Sequence, residues 1–110
     1  MSEDKKMMNK IKKIAYEDRQ RTIISLEKLI REVYCLPSDL SFFHLYANKM
    51  KKSQRNAVYS FYQICNKALD ISITQLSLIF DVSVKTIWNY CNKAMCKEDL
   101  QKQVNIVEKL

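Results

Sequence analysis

The stretch Ser72-Ile73-Thr74-Gln75-Leu76-Ser77-Leu78-Ile79-Phe80-Asp81-Val82-Ser83-Val84-Lys85-Thr86-Ile87-Trp88-Asn89-Tyr90-Cys91-Asn92-Lys93-Ala94 decides how the rest of the chain is read. Ser72 followed three residues later by Gln75 has the form of a capping box. The serine hydroxyl accepts from the Gln75 amide, and the glutamine side chain returns to the Ser72 amide. A short helix with Leu76, Ile79 and Phe80 on its apolar side is expected to follow. Asp81-Val82 breaks it, and Ser83 caps a second helix whose inward residues are Ile87, Tyr90 and Cys91. Two short helices packed across a tight turn need a small residue early in the first, a turn residue, an apolar plug and an apolar lock in the second. Ser77, Asp81, Val82 and the pair Ile87 and Tyr90 fill those places. Asp81 stands where glycine is usual, and aspartate tolerates unusual backbone angles better than most residues. The spacing predicts a helix-turn-helix from Ser72 to Ala94.

Working outward, the 110 residues contain no glycine and a single proline, Pro37, so tight hairpins are not expected and an all-α bundle is. Upstream, Glu3 to Leu36 holds no helix breaker. Met7, Ile11 and Ile14, and then Ile23, Leu26, Ile30 and Val33, fall at helical spacing. They predict an N-terminal helical arm over residues 1–36, ended by Pro37. Ser38-Asp39 is a cap for a short helix marked by Leu40, Phe43, Ala47 and Met50. A further helix follows Ser53, with Ala57, Phe61, Ile64, Cys65 and Ala68 inward. Leu100, Val104, Val107 and Leu110 mark a last helix. The organisation expected is thus an arm (1–36), a helix-turn-helix domain (37–97) and a C-terminal helix (98–110).

The formal charge is +7, from 19 basic and 12 acidic residues. Between Ser38 and Lys97 there are eight basic residues against three acidic, a net +5, while the tail from Glu98 is net −1. A basic excess favours polyanionic partners, and here it coincides with the predicted motif. With Ile87, Tyr90 and Cys91 inward, helical geometry leaves Ser83, Val84, Lys85, Trp88, Asn89 and Asn92 on the opposite face, the one a recognition helix offers to the major groove. An asparagine amide such as Asn89 bonds adenine bidentately, and Val84 can pack on a thymine methyl. Lys85 and Lys93 suit phosphates, with Ser83 and Thr86 as neutral donors. Lys49, Lys51, Lys52 and Arg55 are candidates for gripping the backbone beside the groove. Trp88 has two readings, packing against the arm or a second subunit, and contact with DNA. The partner expected is double-stranded DNA.

From Val33 to Ala94 the chain resembles the C-terminal, Trp-repressor-like DNA-binding domain of the bacterial replication initiator DnaA. Lys51, Lys52 and Arg55 match that family's basic region, Ala68-Leu69 its helix end, Leu76-Ser77-x-x-Phe80 its first motif helix, and Thr86-Ile87 its threonine-hydrophobic pair. The resemblance implies an all-α fold and duplex binding through the helix that starts at Ser83. The family's glycine-rich turn and Asp-His-Thr-Thr signature are replaced by Asp81-Val82-Ser83-Val84-Lys85-Thr86, so its origin-box specificity is not carried over. No G-x-x-x-x-G-K-[ST] sequence is present, so no ATPase module is expected. The Val82-Ser83-x-x-Thr86-Ile87 string is equally similar to motifs in repressors, transposase DNA-binding regions and promoter-reading domains of sigma factors. A transcriptional regulator or a replication or mobile-element accessory factor is the resulting expectation.

Other chemistry is not expected. His44, the single histidine, lies in the apolar run Phe42-Phe43-His44-Leu45. Cys35, Cys65, Cys91 and Cys96 form no C-x-x-C pair, and Cys91 and Cys96 with His44 lack a zinc spacing, so buried free thiols are expected. No carboxylate cluster suggests a two-metal site. We therefore expect no enzyme activity, cofactor, metal or small-molecule substrate. No apolar run reaches the ~20 residues needed to span a bilayer. With no secretory signal, the expected setting is cytoplasmic and DNA-associated. The stripe Ile23, Leu26, Ile30 and Val33 on the arm is a candidate homodimer surface. The rival function is a protein-interaction adaptor or inhibitor that uses the same arm, with the helix-turn-helix as scaffold.

Overall fold

The computed structural model describes residues 19–36 and 52–110. Among them are five α-helices and no strands: α1 (Arg19–Val33), α2 (Lys52–Lys67), α3 (Ile73–Phe80), α4 (Val84–Cys91) and α5 (Lys97–Lys109). The protein is all-α, as the lack of glycine and hairpin signals implied. No helix among the described residues is long and apolar enough to cross a membrane. The expected helices carrying Met7, Ile11 and Ile14, and Leu40, Phe43, Ala47 and Met50, lie outside the described residues, as do Pro37 and His44.

α2 is the hub and packs on each of the other four helices. Its sequence explains this. Ala57, Val58, Phe61, Tyr62, Ile64 and Cys65 are all buried, and Ser60 and Gln63 are buried among them, so the middle of the helix is enclosed nearly all round. Ala68 departs from expectation: it is exposed, because α2 ends at Lys67 and the chain turns away before it. Aromatic rings fill the space between α2, α3 and α4. The Phe61 and Tyr62 rings each meet Phe80 edge-on at 5.5 Å, and Tyr62 lies 5.4 Å from Tyr90, within the range where such pairs attract beyond simple burial.

On α1, Ile23, Leu26 and Ile30 are buried against this same core, with α2 and α5 as its neighbours. That stripe was expected to be surplus. Three of its four residues are instead buried within the protomer, and the fourth, Val33, is half-buried against the same core. The helix also stops before Pro37. Cys35 adopts a left-handed conformation (φ 54°), and the Leu36 amide donates back to the Arg31 carbonyl at 2.8 Å, a Schellman-type ending. Asp70 and Asp81 are left-handed as well. A chain without glycine must use other residues at such turns, at roughly 1–2 kcal/mol each.

α5 is held by polar groups more than by apolar ones. Ile106 and Asp99 are its buried residues. The Asp99 carboxylate accepts from Tyr34 Oη at 2.7 Å, Asn56 Nδ2 at 3.2 Å and Cys96 Sγ at 2.9 Å. Three donors satisfy a carboxylate that would otherwise be costly to bury. Burial above all, and then the neighbouring Asp99 charge, push the Tyr34 phenol above its ordinary range, against the Ser60 hydrogen bond, which favours the ionised form. Cys96 was expected to be buried. It is exposed, at the N-cap of α5. Cys65 and Cys91 are buried, and burial raises both thiols. No disulfide joins the four cysteines.

Candidate nucleic-acid interface

The surface built by α3 and α4 begins with two caps. Ser72 Oγ accepts from the Gln75 amide at 3.1 Å, and Gln75 Oε1 accepts from the Ser72 amide at 3.2 Å, so the capping box is complete. Asp81, at φ 53° and ψ 45°, closes α3 in the left-handed region. Val82 is buried, Ser83 caps α4, and its Oγ accepts from the Thr86 amide at 3.2 Å. Two eight-residue helices are thus joined by the three residues Asp81 to Ser83.

α4 is fixed from beneath. Ile87, Tyr90 and Cys91 are buried against α2 and α3. Gln63 Nε2, inside the protein, donates to the carbonyls of Tyr90 at 3.1 Å and Lys93 at 2.9 Å. It gives the Lys93 carbonyl, just beyond α4, a partner and adds a side-chain donor to the Tyr90 carbonyl, which also accepts from the Lys93 amide at 3.3 Å. Gln63 Oε1 accepts from Gln103 Nε2, which also donates to Ser60 Oγ. Ser60 Oγ meets Tyr34 Oη at 2.7 Å, so one hydrogen-bonded chain links α4 through α2 and α5 to the residues just after α1.

The opposite face of α4 is open. Val84 is 47% and Trp88 54% exposed, and Lys85 and Asn89 are exposed beside them. No Cα of α4 comes within 8 Å of one in α1, and residues 1–18 of the expected arm lie outside the described residues. Ser83 Oγ donates to Thr86 Oγ1 at 2.8 Å, so both hydroxyls have partners within the first turn. Asn92 follows α4 as its C-cap, and its Nδ2 donates to the Trp88 carbonyl at 2.8 Å. The Lys93 ammonium lies 5.5 Å over the Tyr59 ring. Arg55 precedes Tyr59 by one turn and shares its face of α2, which sets it on the same side of the molecule as Lys93. Lys52 opens α2; Lys49 and Lys51 lie outside the described residues.

Sequence reasoning missed two residues of this arrangement, Gln63 and Tyr59. Neither carries a local signal. Each follows from α2 lying beneath α4, a tertiary fact. The exposed face of α4 combines the Asn89 amide, the aliphatic Val84, the Trp88 indole and the Lys85 ammonium. No group of three or more metal-ligating side chains occurs among the described residues. No protein-family model, curated protein or solved structure matches the chain.

Proposed function

We propose that the chain is a sequence-specific double-stranded DNA-binding protein that lays α4 in the major groove, with α3 and α4 acting as a helix-turn-helix. The observation that carries this is the split of α4 into two faces. Ile87, Tyr90 and Cys91 anchor it in the core, while Val84, Lys85, Trp88 and Asn89 are exposed together. A helix with its side chains is about 10–12 Å across, which suits a major groove about 12 Å wide. Asn89 reads adenine, Val84 meets a thymine methyl, and Lys85 and Lys93 bind phosphates. Arg55 and the basic residues before it extend the phosphate contacts. The resemblance to the DnaA domain points the same way, toward a transcriptional regulator or a replication or mobile-element accessory factor in the cytoplasm.

Anisotropy titration of labelled duplex tests this. Random duplex binds at low salt, and with about six phosphates neutralised, log affinity falls against log salt with a slope near −5. Lys85→Ala weakens all sequences alike and reduces the slope by about 1, whereas Asn89→Ala costs about 1–3 kcal/mol at one base position only. Absence of salt-dependent binding at low ionic strength overturns the proposal. If both variants lose affinity uniformly, α4 is not the reading helix.

A further inference from the structure

Lys93 stands just past the end of α4, and three contacts hold it there. Its amide donates to the Tyr90 carbonyl at 3.3 Å and its carbonyl accepts from Gln63 at 2.9 Å, so the backbone is fixed. Its ammonium lies 5.5 Å over the Tyr59 ring. Tyr59 is itself braced from below. Its ring tilts against Tyr90 at 5.5 Å, Tyr90 lies 5.4 Å from Tyr62, and Tyr62 meets Phe80 edge-on at 5.5 Å. Tyr62, Phe80 and Tyr90 are buried, Tyr59 is half-buried and Lys93 is exposed. A line of rings thus runs from the core to the surface and carries the lysine at its outer end.

We propose that Tyr59 is a positioning residue for DNA, a role that rests on the reading of α4 as the recognition helix. Its ring holds the Lys93 ammonium where a phosphate of the strand beside the C-terminal end of α4 comes to lie. An aromatic face attracts an ammonium without neutralising it. A carboxylate in the same place would cancel the charge that a phosphate needs. A lysine side chain otherwise gives up much rotamer freedom when it grips a phosphate, and the ring removes part of that loss beforehand. The consequence is register. A freely moving lysine meets any of several phosphates, whereas a held one favours one of them and so fixes where α4 sits along the groove. Lys93 also follows a helix C-terminus, where a cation is favoured. That effect needs no ring, so removing the ring separates the two.

Anisotropy titration of labelled random duplex across a salt series, with the full chain and its variants, tests the assignment. Tyr59→Leu is expected to weaken binding roughly two- to fivefold, and Tyr59→Phe, which keeps the ring, to recover most of that loss. Lys93→Ala should lower the salt slope by about 1. Adding Tyr59→Leu to Lys93→Ala should cost nothing further, whereas adding it to Lys85→Ala, at the other end of α4, should cost the same as in the wild type. In the protein without DNA, proton NMR should place the Lys93 ε-methylene signals upfield of their random-coil position, shifted by the Tyr59 ring current. A wild-type chain with no salt-dependent binding removes the DNA reading and this role with it. With wild-type binding intact, three results overturn the role of Tyr59 alone. They are a Tyr59→Leu protein that binds as tightly as the wild type, a Tyr59→Phe protein that loses as much as Tyr59→Leu, and an equal loss from Tyr59→Leu in the Lys93→Ala background. Unshifted ε-methylene signals overturn it too, even where a variant fails to fold.

Discussion

Replacing Gln63 by leucine removes a side chain whose amide joins three elements, and the cost can be worked from its contacts. Gln63 Nε2 donates to the Tyr90 carbonyl at 3.1 Å and the Lys93 carbonyl at 2.9 Å, and Oε1 accepts from Gln103 at 2.9 Å. Each such bond contributes about 1 kcal/mol net, so three are worth about 3 kcal/mol. Leucine has nearly the volume of glutamine, which keeps the cavity term small, and its extra apolar burial returns about 1 kcal/mol. The net expectation is a loss of about 2 kcal/mol, or a fall in the thermal midpoint of roughly 8–16 °C for a domain of this size. Urea denaturation followed by circular dichroism measures it, with an unchanged slope marking a true stability change. Gln103→Leu removes two bonds, to Ser60 and Gln63, and should cost about 1 kcal/mol after the same offset. The double variant should lose about 1 kcal/mol less than the sum, since one bond is shared. A Gln63→Leu protein as stable as the wild type, or strict additivity with Gln103→Leu, would refute the idea that this amide ties α4 to the bundle.

Other expectations are simpler to state. Ser72→Ala breaks the capping box and should lower stability by about 1 kcal/mol in the same urea assay. Asp81→Val places a β-branched residue at φ 53° and should cost a further 1–2 kcal/mol or so, whereas Asp81→Gly should leave stability unchanged or improve it. Stability should also fall in alkali. The raised Cys65, Cys91 and Tyr34 groups hold their protons in the folded state, whereas the unfolded chain releases them from about pH 8.5 for thiols and about pH 10 for tyrosine. Their contribution is thus complete below those values and is lost progressively as pH rises from them toward the raised values of the folded state. Thermal midpoints across pH 7 to 11 should show this loss, and replacing Cys65 and Cys91 by alanine should move its onset toward about pH 10.

Local chemistry written in consecutive residues was legible without the fold. The Ser72 and Ser83 caps and the left-handed turn at Asp81 follow from contacts that reach no more than one helical turn, and the inward set Val82, Ile87, Tyr90 and Cys91 follows from helical periodicity. The all-α class follows likewise, from a chain that lacks glycine. What lay beyond the sequence depends on which element meets which. Periodicity showed an apolar stripe on α1 and another on α5 but could not rank them. Tertiary packing buried Ile23, Leu26 and Ile30 and left Leu100, Val104 and Val107 at the surface. It could do so because Asp99 reaches Tyr34, Asn56 and Cys96, and Gln103 reaches Ser60 and Gln63, so polar residues seat α5 with its apolar stripe outward. Gln63 and Asp99 read as ordinary surface residues in one dimension. Only the approach of distant helices supplies the partners that allow them to be buried.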